Sequence, residues 1–214
     1  MPPRSPSLLL IHGAASGPWV FRDWPASFPD ATVRAVDLQE GADVGTASMR
    51  DYAGRVEVAA VQLPRPLALC GWSMGGLVAL MAAEAVQPAG LVLLEPSPPA
   101  EVQGSDPGSV LTTGTFSGEE AYGAFPPGVA SRPESALARA ERKRGISVAA
   151  IPCPSLVVYG DEFADTRGRP VARLYGSEEA YFPGFDHWDL VLSPRVRDRI
   201  AWFLSQLACA SPDS

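Results

Sequence analysis

The sequence predicts an α/β fold in which parallel strands alternate with helices. The chain has 214 residues, which is the size of a single domain. Its 46% apolar and 19% charged residues suit a globular protein with a buried core. Short apolar runs also alternate with segments of helical periodicity, and this alternation is typical of βαβ units.

The predicted elements follow in order from the N-terminal side. An apolar run predicts the first strand at residues 7–11, and a Gly-rich turn follows it. Met49, Tyr52 and Val56 recur at three- and four-residue spacing, which predicts an amphipathic helix over residues 48–63. The other elements predicted before residue 95 are a short helix near Trp19–Ala26, strands at Thr32–Asp37, Pro66–Cys70 and Gly90–Leu94, and an Ala/Leu-rich helix at Met74–Val86.

The chain changes character after the strand at Gly90–Leu94. Residues 96–135 are rich in Pro, Gly, Ser and Thr, with weak helical signals such as the capping-box pair Ser117 and Glu120. A compact domain seldom carries so long an irregular stretch without a functional reason. We therefore expect residues 96–150 to be a lid inserted in a single domain over residues 1–214. The later predicted elements are helices at Glu134–Arg144 and near Pro170–Leu174, strands at Ser155–Tyr159 and near Ala180–Phe182, and a final helix marked by Val196, Ile200, Phe203, Leu204 and Leu207.

The composition argues against several classes of partner and location. A formal net charge of −7 gives the chain no general attraction to phosphate backbones, so nucleic acid is not an expected partner. No apolar run approaches the roughly 20 residues that a transmembrane helix needs. The run at residues 7–11 is also too short for the core of a signal peptide. We expect a cytoplasmic protein with no membrane partner, present as a monomer or a homodimer.

The cysteines and histidines bear on metal and cofactor chemistry. The cysteines are odd in number and form no close pair, which argues against a disulfide framework and a Cys-based zinc site: Cys70, Cys153 and Cys209. The only histidines are His12 and His187, too few for a multi-histidine metal site. No dinucleotide fingerprint or Walker loop is present, so we expect neither a cofactor nor a metal.

Residues 71–75 read Gly-Trp-Ser-Met-Gly and match the pattern G-x-S-x-G. The pattern alone is weak, but here it follows a predicted strand and opens a predicted helix, as a nucleophile elbow requires. Glycines on both sides of Ser73 permit close backbone contacts around a strained turn. The start of the helix favours negative charge beside the serine oxygen. The alternative is a Gly-rich turn with an ordinary N-cap serine.

Two other segments carry groups that such a serine would need. Acyl transfer requires two N–H donors aimed at the developing oxyanion. Met74 supplies one, and the loop at Ala14 could supply the other, although His12-Gly13 can also be a simple strand end. A serine hydroxyl also needs a base to take its proton. We expect His187, which lies between the last strand and the last helix, to be that base rather than a surface histidine.

Together, these segments resemble the α/β-hydrolase superfamily, in the chain order nucleophile, acid, histidine. The resemblance covers residues 7–207. It implies a three-layer α/β-hydrolase fold with Ser73 as nucleophile, His187 as base, and Met74 and Ala14 as oxyanion donors. The superfamily usually begins with an antiparallel hairpin, but here the His-Gly strand starts at residue 7. We therefore expect a six-stranded, wholly parallel sheet and a lid that is short for the family.

The acid of the implied triad is ambiguous in this sequence. The superfamily commonly places it shortly after the glycine that closes the penultimate strand, where this chain has Phe163. We favour Asp165 because it stands closer to the following helix. Asp161, and Glu95 at the end of the preceding strand, are the alternatives. The acid would fix the imidazole tautomer and stabilise the imidazolium.

The expected function is hydrolysis of a carboxylic ester, a thioester or a lactone through an acyl-enzyme. The expected partner is a small-molecule acyl substrate. Trp19, Trp72 and Trp188 are candidate substrate-binding residues because aromatic side chains near these loops can line an apolar pocket. Core packing is the alternative for each. Two other functions stay open: a non-hydrolytic enzyme of a biosynthetic pathway (acyl transfer, elimination or cyclisation) and a ligand-binding protein that retains the pocket.

Overall fold

The computed structural model describes residues 6–210, with side chains through residue 207. Its strands are, in chain order, β1 (Ser7–Ile11), β2 (Val33–Val36), β3 (Leu67–Trp72), β4 (Gly90–Leu94), β5 (Thr115–Phe116), β6 (Glu134–Ser135), β7 (Ser155–Tyr159) and β8 (Glu178–Tyr181). Six of them form one sheet in the order β2-β1-β3-β4-β7-β8. Every neighbouring pair in this sheet is parallel. The predicted six-stranded, wholly parallel sheet is therefore confirmed.

Helices cover both faces of the sheet, as parallel crossover connections require. They are α1 (Met49–Val61), α2 (Met74–Val86), α3 (Ala100–Gln103), α4 (Gly118–Tyr122), α5 (Ala136–Arg144), α6 (Arg169–Tyr175), α7 (Asp189–Leu192) and α8 (Pro194–Ala210). Between residues 6 and 210, no helix combines the length and the apolarity needed to cross a bilayer.

Side-chain alternation along the strands divides the core into two layers. On β1, Leu9 and Ile11 pack in the layer that contains α1 and α2. Leu8 and Leu10 point to the opposite face, where they pack with α8 and the segment before β2. Successive residues of a strand face opposite sides of the sheet. A strand covered on both faces therefore reads as the continuous apolar run that predicted β1.

Residues 18–27 differ from their predicted secondary structure. The single helix expected near Trp19–Ala26 is replaced by two 3₁₀ turns, Pro18–Phe21 and Pro25–Ser27. Each turn begins with a proline. Proline has no N–H and its ring clashes with the preceding turn, so Pro25 cannot lie inside a continuous helix.

The 96–150 segment connects β4 to β7. It contains α3, α4, α5 and a two-stranded antiparallel ribbon in which β5 pairs with β6. This segment is anchored in the core at β6, where Glu134 and Ser135 are fully buried. The Ser135 hydroxyl donates a hydrogen bond to the Ala47 carbonyl. The ribbon, α3 and α7 were not predicted, because elements of two to four residues show no periodicity in a sequence.

Candidate active site

Ser73 occupies a strained turn between β3 and α2. Its backbone has φ 57° and ψ −121°, in the left-handed region that side chains with a Cβ rarely adopt. Hydrogen bonds hold this conformation from both sides. The Ser73 N–H donates to the Leu94 carbonyl over 3.0 Å, and the Ser73 carbonyl accepts from the Ser97 N–H over 2.8 Å. Such strain persists only where the surroundings enforce it, and it is common at functional sites.

Glycines on each side of Ser73 allow the close contacts that this turn requires. A Cβ atom on Gly71 would lie 2.2 Å from the Gly75 carbonyl oxygen. One on Gly75 would lie 2.1 Å from the carbonyl oxygen of Ile11, at the end of β1. A side chain at either position would therefore clash with backbone atoms that have little freedom to move, so both positions require glycine.

His187 lies in the loop between β8 and α7, and its ring contacts a buried carboxylate. The His187 Nδ1 atom is 2.6 Å from Oε2 of Glu95, whose side chain is fully buried. The other oxygen of Glu95 accepts a 3.1 Å hydrogen bond from the Gly160 N–H. Trp72, next to Ser73, donates through Nε1 to the His187 carbonyl over 3.0 Å. These bonds tie the histidine loop to the sheet edge that carries the serine turn.

The carboxylate that contacts His187 is thus Glu95, and the prediction of Asp165 is wrong on this point. The Asp165 side chain is 85% exposed and pairs with Arg169 one helical turn later. Asp161 is also turned away, since its carboxylate accepts from the Tyr181 hydroxyl and the Gly184 N–H. Glu95, one of the alternatives drawn from the sequence, follows β4 directly and has a positive φ of 42°. Its side chain thereby enters the core beneath the histidine.

Two backbone amides near Ser73 have their N–H groups available. Within residues 6–210, neither the Met74 N–H nor the Ala14 N–H donates to a protein acceptor. Met74 begins α2, where the helix dipole favours negative charge. Ala14 borders the same cavity as Ser73. The pair stays a prediction as oxyanion donors.

Glu134 holds the loop that carries Ala14. Its fully buried carboxylate accepts the Ala15 N–H over 3.0 Å, while Ala15 itself adopts a positive φ of 57°. The other carboxylate oxygen accepts from the Tyr52 hydroxyl. Burial and the neighbouring carboxylate raise the pKa of Tyr52, so its phenol stays protonated as a donor. The Arg132 N–H adds a 3.0 Å hydrogen bond to the Ala15 carbonyl.

A cavity of about 400 Å³ lies between these groups. Ser73 and His187 border it, as do the predicted substrate residues Trp72 and Trp188. Trp19 does not line this cavity: its indole N–H donates to the Ala130 carbonyl, and Arg132 lies over its ring. The prediction of Trp19 as a substrate residue is therefore not supported. A larger groove of about 750 Å³ lies near β2 and α1, and neither Ser73 nor His187 borders it.

Two arginines that no sequence pattern indicates also line the cavity that Ser73 and His187 border. Arg142 comes from α5, and Arg167 comes from a π-helical turn at Ala164–Gly168. Burial lowers the pKa of the Arg167 guanidinium, and the positive charge of Arg142 adds to this lowering, while Glu95 and Glu162 oppose it. Arginines occur throughout the chain, so no sequence pattern marked these two.

The sequence matches a known protein family. A family model described as the alpha/beta hydrolase family matches residues 8–212, and the chain belongs to this family. A relative by sequence is a pimeloyl-(acyl-carrier protein) methyl ester esterase of Neisseria meningitidis, 38% identical over 84 residues. That match covers 37% of this chain and 26% of the relative, so it spans about a quarter of the relative's length.

Solved structures show the same fold over almost the whole chain. Polyneuridine aldehyde esterase superposes with a TM-score of 0.61 at 15% identity, covering 95% of this chain and 99% of that one. The type II thioesterase BorB from the borrelidin biosynthetic cluster gives a TM-score of 0.64 at 17% identity, covering 97% and 92%. At sequence identities this low, the superpositions establish the shared fold alone.

Proposed function

We propose that the chain is a serine hydrolase that cleaves an ester, a thioester or a lactone through an acyl-enzyme on Ser73. The observation that carries this proposal is the 2.6 Å contact between His187 Nδ1 and the buried Glu95 carboxylate, beside the cavity that Ser73 borders. A carboxylate at Nδ1 favours the tautomer with its proton on that atom. The Nε2 atom is then free to accept the serine proton.

The reaction follows from these positions. The Ser73 oxygen attacks the acyl carbonyl while His187 takes its proton, and the N–H groups of Met74 and Ala14 stabilise the oxyanion. The bond from the acyl carbon to the leaving oxygen or sulfur breaks, and His187 returns the proton to that atom. Water then attacks the acyl-enzyme and gives its proton to His187. Ser73 regains this proton as the acid product leaves.

The 96–150 segment supports the idea of a lid. Tyr122, Phe125 and Arg142 of this segment border the cavity. The names of an esterase relative and of thioesterase and esterase structures favour an acyl substrate over other classes. We therefore propose that this segment shapes the site for a small acyl group.

The test is product analysis with a simple p-nitrophenyl ester. Hydrolysis predicts an initial burst of p-nitrophenol followed by steady turnover, with the free acid as the only acyl product. Ser73→Ala should abolish both phases, while the exposed control Ser205→Ala should keep them. Transfer of the acyl group to an added amine or alcohol in preference to water would identify an acyltransferase instead. Absence of any Ser73-dependent release would contradict the proposal.

A further inference from the structure

The cavity beside Ser73 contains two positive charges that form no direct ion pair with any carboxylate of the described residues. Within residues 6–207, neither Arg142 nor Arg167 has a carboxylate oxygen within salt-bridge distance. This is unusual in a chain of net charge −7, where acidic side chains outnumber basic ones. Half-buried charges normally acquire a counterion, because desolvation otherwise destabilises them.

The contacts of Arg142 leave most of its hydrogen-bonding capacity unused. Its Nη atoms approach only two neutral hydroxyls, those of Ser97 at 3.4 Å and Tyr122 at 3.3 Å. Its Nε atom is buried, and no partner is found among the described residues. A guanidinium fork with a free Nε–H is suited to paired oxygens of an anion.

Arg167 lines the same cavity and belongs to a π-helical turn. The Gly168 N–H donates to the Phe163 carbonyl over 3.0 Å, five residues earlier, which inserts an extra residue into the turn. Such turns occur frequently at functional sites. The Arg167 guanidinium lies 3.7 Å from the centre of the Phe163 ring, which fixes its direction. Asp165 of the same turn points to solvent, so it does not neutralise the arginine.

The acidic residues that border the cavity are engaged elsewhere. Glu162 accepts the His187 N–H over 3.2 Å. Asp186 accepts the N–H groups of Trp188 and Asp189, each over 2.8 Å. Both carboxylates therefore order the histidine loop, and the two arginines retain their charge for another group.

We propose that Arg142 and Arg167 form an anion subsite that binds an anionic oxygen group, a carboxylate or a phosphate, carried by the acyl substrate. This inference rests on the proposed function, since it names the class of substrate for the same cavity. The substrate is then an ester or thioester with a negatively charged group at a distance from the scissile carbonyl. The cavity of about 400 Å³ favours a small molecule of this kind.

The first test compares two p-nitrophenyl esters of equal acyl length, the neutral hexanoate and the anionic monoester of adipate, each corrected for enzyme-free hydrolysis. Charge-assisted hydrogen bonds predict that the wild type prefers the adipate monoester in kcat/KM by about 10- to 100-fold. Arg142→Gln and Arg167→Gln should each lower the ratio of adipate to hexanoate kcat/KM by about tenfold or more. Arg142→Lys keeps the charge but loses the fork, and it should retain part of the preference.

Arg173→Gln is the matched control because Arg173 is exposed and lies outside the cavity. Its ratio of adipate to hexanoate activity should stay within about twofold of the wild-type ratio, since exposed charges at a distance are screened. Equal kcat/KM for the two esters in the wild type, with no change in the arginine variants, would overturn the subsite while leaving the hydrolase proposal intact.

A binding measurement tests the anion subsite independently of the proposed hydrolase activity. The Ser73→Ala variant is titrated with monomethyl adipate and with methyl hexanoate, and tryptophan fluorescence reports on Trp72 and Trp188 in the cavity. If Ser73→Ala binds the adipate monoester and the added Arg142→Gln change abolishes this binding, the subsite is supported even if the wild type hydrolyses neither ester.

Competition by inorganic phosphate and by acetate then distinguishes the two sources of the anion. Stronger competition by phosphate identifies a phosphate-bearing substrate, and stronger competition by acetate identifies a carboxylate. The subsite would be refuted if the adipate monoester binds no more tightly than methyl hexanoate and if neither arginine substitution changes its affinity.

Discussion

Replacing Glu95 by Gln tests which carboxylate serves His187. In the wild type, one Glu95 oxygen contacts His187 Nδ1 at 2.6 Å and the other accepts the Gly160 N–H at 3.1 Å. A glutamine has one oxygen and one NH₂ group, so its side chain can accept from the Gly160 N–H or from the imidazole Nδ1–H, but not from both. If the NH₂ group faces the ring, it favours the tautomer with its proton on Nε2. The histidine then cannot accept the serine proton.

The structure allows an estimate of the loss. A triad with the wrong tautomer loses about a thousandfold to ten-thousandfold in kcat, which raises the activation free energy by about 4 to 5.5 kcal/mol. The matched control is Asp165→Asn, whose side chain is 85% exposed, and it should stay close to the wild-type kcat.

The assay is steady-state hydrolysis of a p-nitrophenyl ester, with circular dichroism to verify folding. Near-normal kcat in a folded Glu95→Gln variant, together with a large loss in Asp165→Asn, would refute the reasoning.

Three other predictions concern the supports of the site. Gly54→Ala should raise the free energy of unfolding by about 0.5–1 kcal/mol, because a Cβ atom at this position of α1 would meet open space. Gly75→Ala should lower the free energy of unfolding by at least about 2 kcal/mol, because its Cβ atom would clash with the Ile11 carbonyl. Urea denaturation that ranks the two variants the other way would contradict this packing. Glu134→Gln should lower the free energy of unfolding by about 1–3 kcal/mol in the same assay, because the Ala15 N–H, the Ser135 N–H or the Tyr52 hydroxyl loses a carboxylate acceptor. An unchanged unfolding midpoint would show that the loop at Ala15 does not depend on the Glu134 carboxylate. Burial raises the pKa of Cys153 to about 11, so its alkylation by iodoacetamide should keep accelerating roughly tenfold per pH unit up to about pH 10. Peptide mass spectrometry follows the modification. A rate that levels off at about pH 8.5 to 9 would instead show an ordinary thiol.

The strands and long helices could be predicted because burial leaves a pattern in the sequence. β3 and β4 are continuous apolar runs, since both of their faces are covered. The apolar residues of α1 recur on one face, and its start carries the capping box of Ser48 and Asp51. The turn at Ser73 could be located because its backbone geometry requires the flanking Gly71 and Gly75.

The carboxylate that contacts His187 could not be chosen from the sequence, because the three-dimensional path of the chain decides which side chain reaches the ring. Asp161, Asp165 and Glu95 all lie at the ends of neighbouring strands or in the loops after them. Only the backbone turn at Glu95, with its positive φ, directs a carboxylate under the imidazole. The arginine pair was missed for a related reason: Arg142 and Arg167 are far apart in the chain and meet at one cavity only through the fold.

The most direct test of the account is the mass of the intact protein after reaction with a fluorophosphonate probe. We expect a single adduct on the wild type, located on the peptide that contains Ser73, and none on Ser73→Ala. The Glu95→Gln variant should label much more slowly, whereas Asp165→Asn should label at the wild-type rate. A folded wild-type protein that forms no adduct, or an adduct that persists in Ser73→Ala, would contradict the claim that Ser73 is an activated nucleophile.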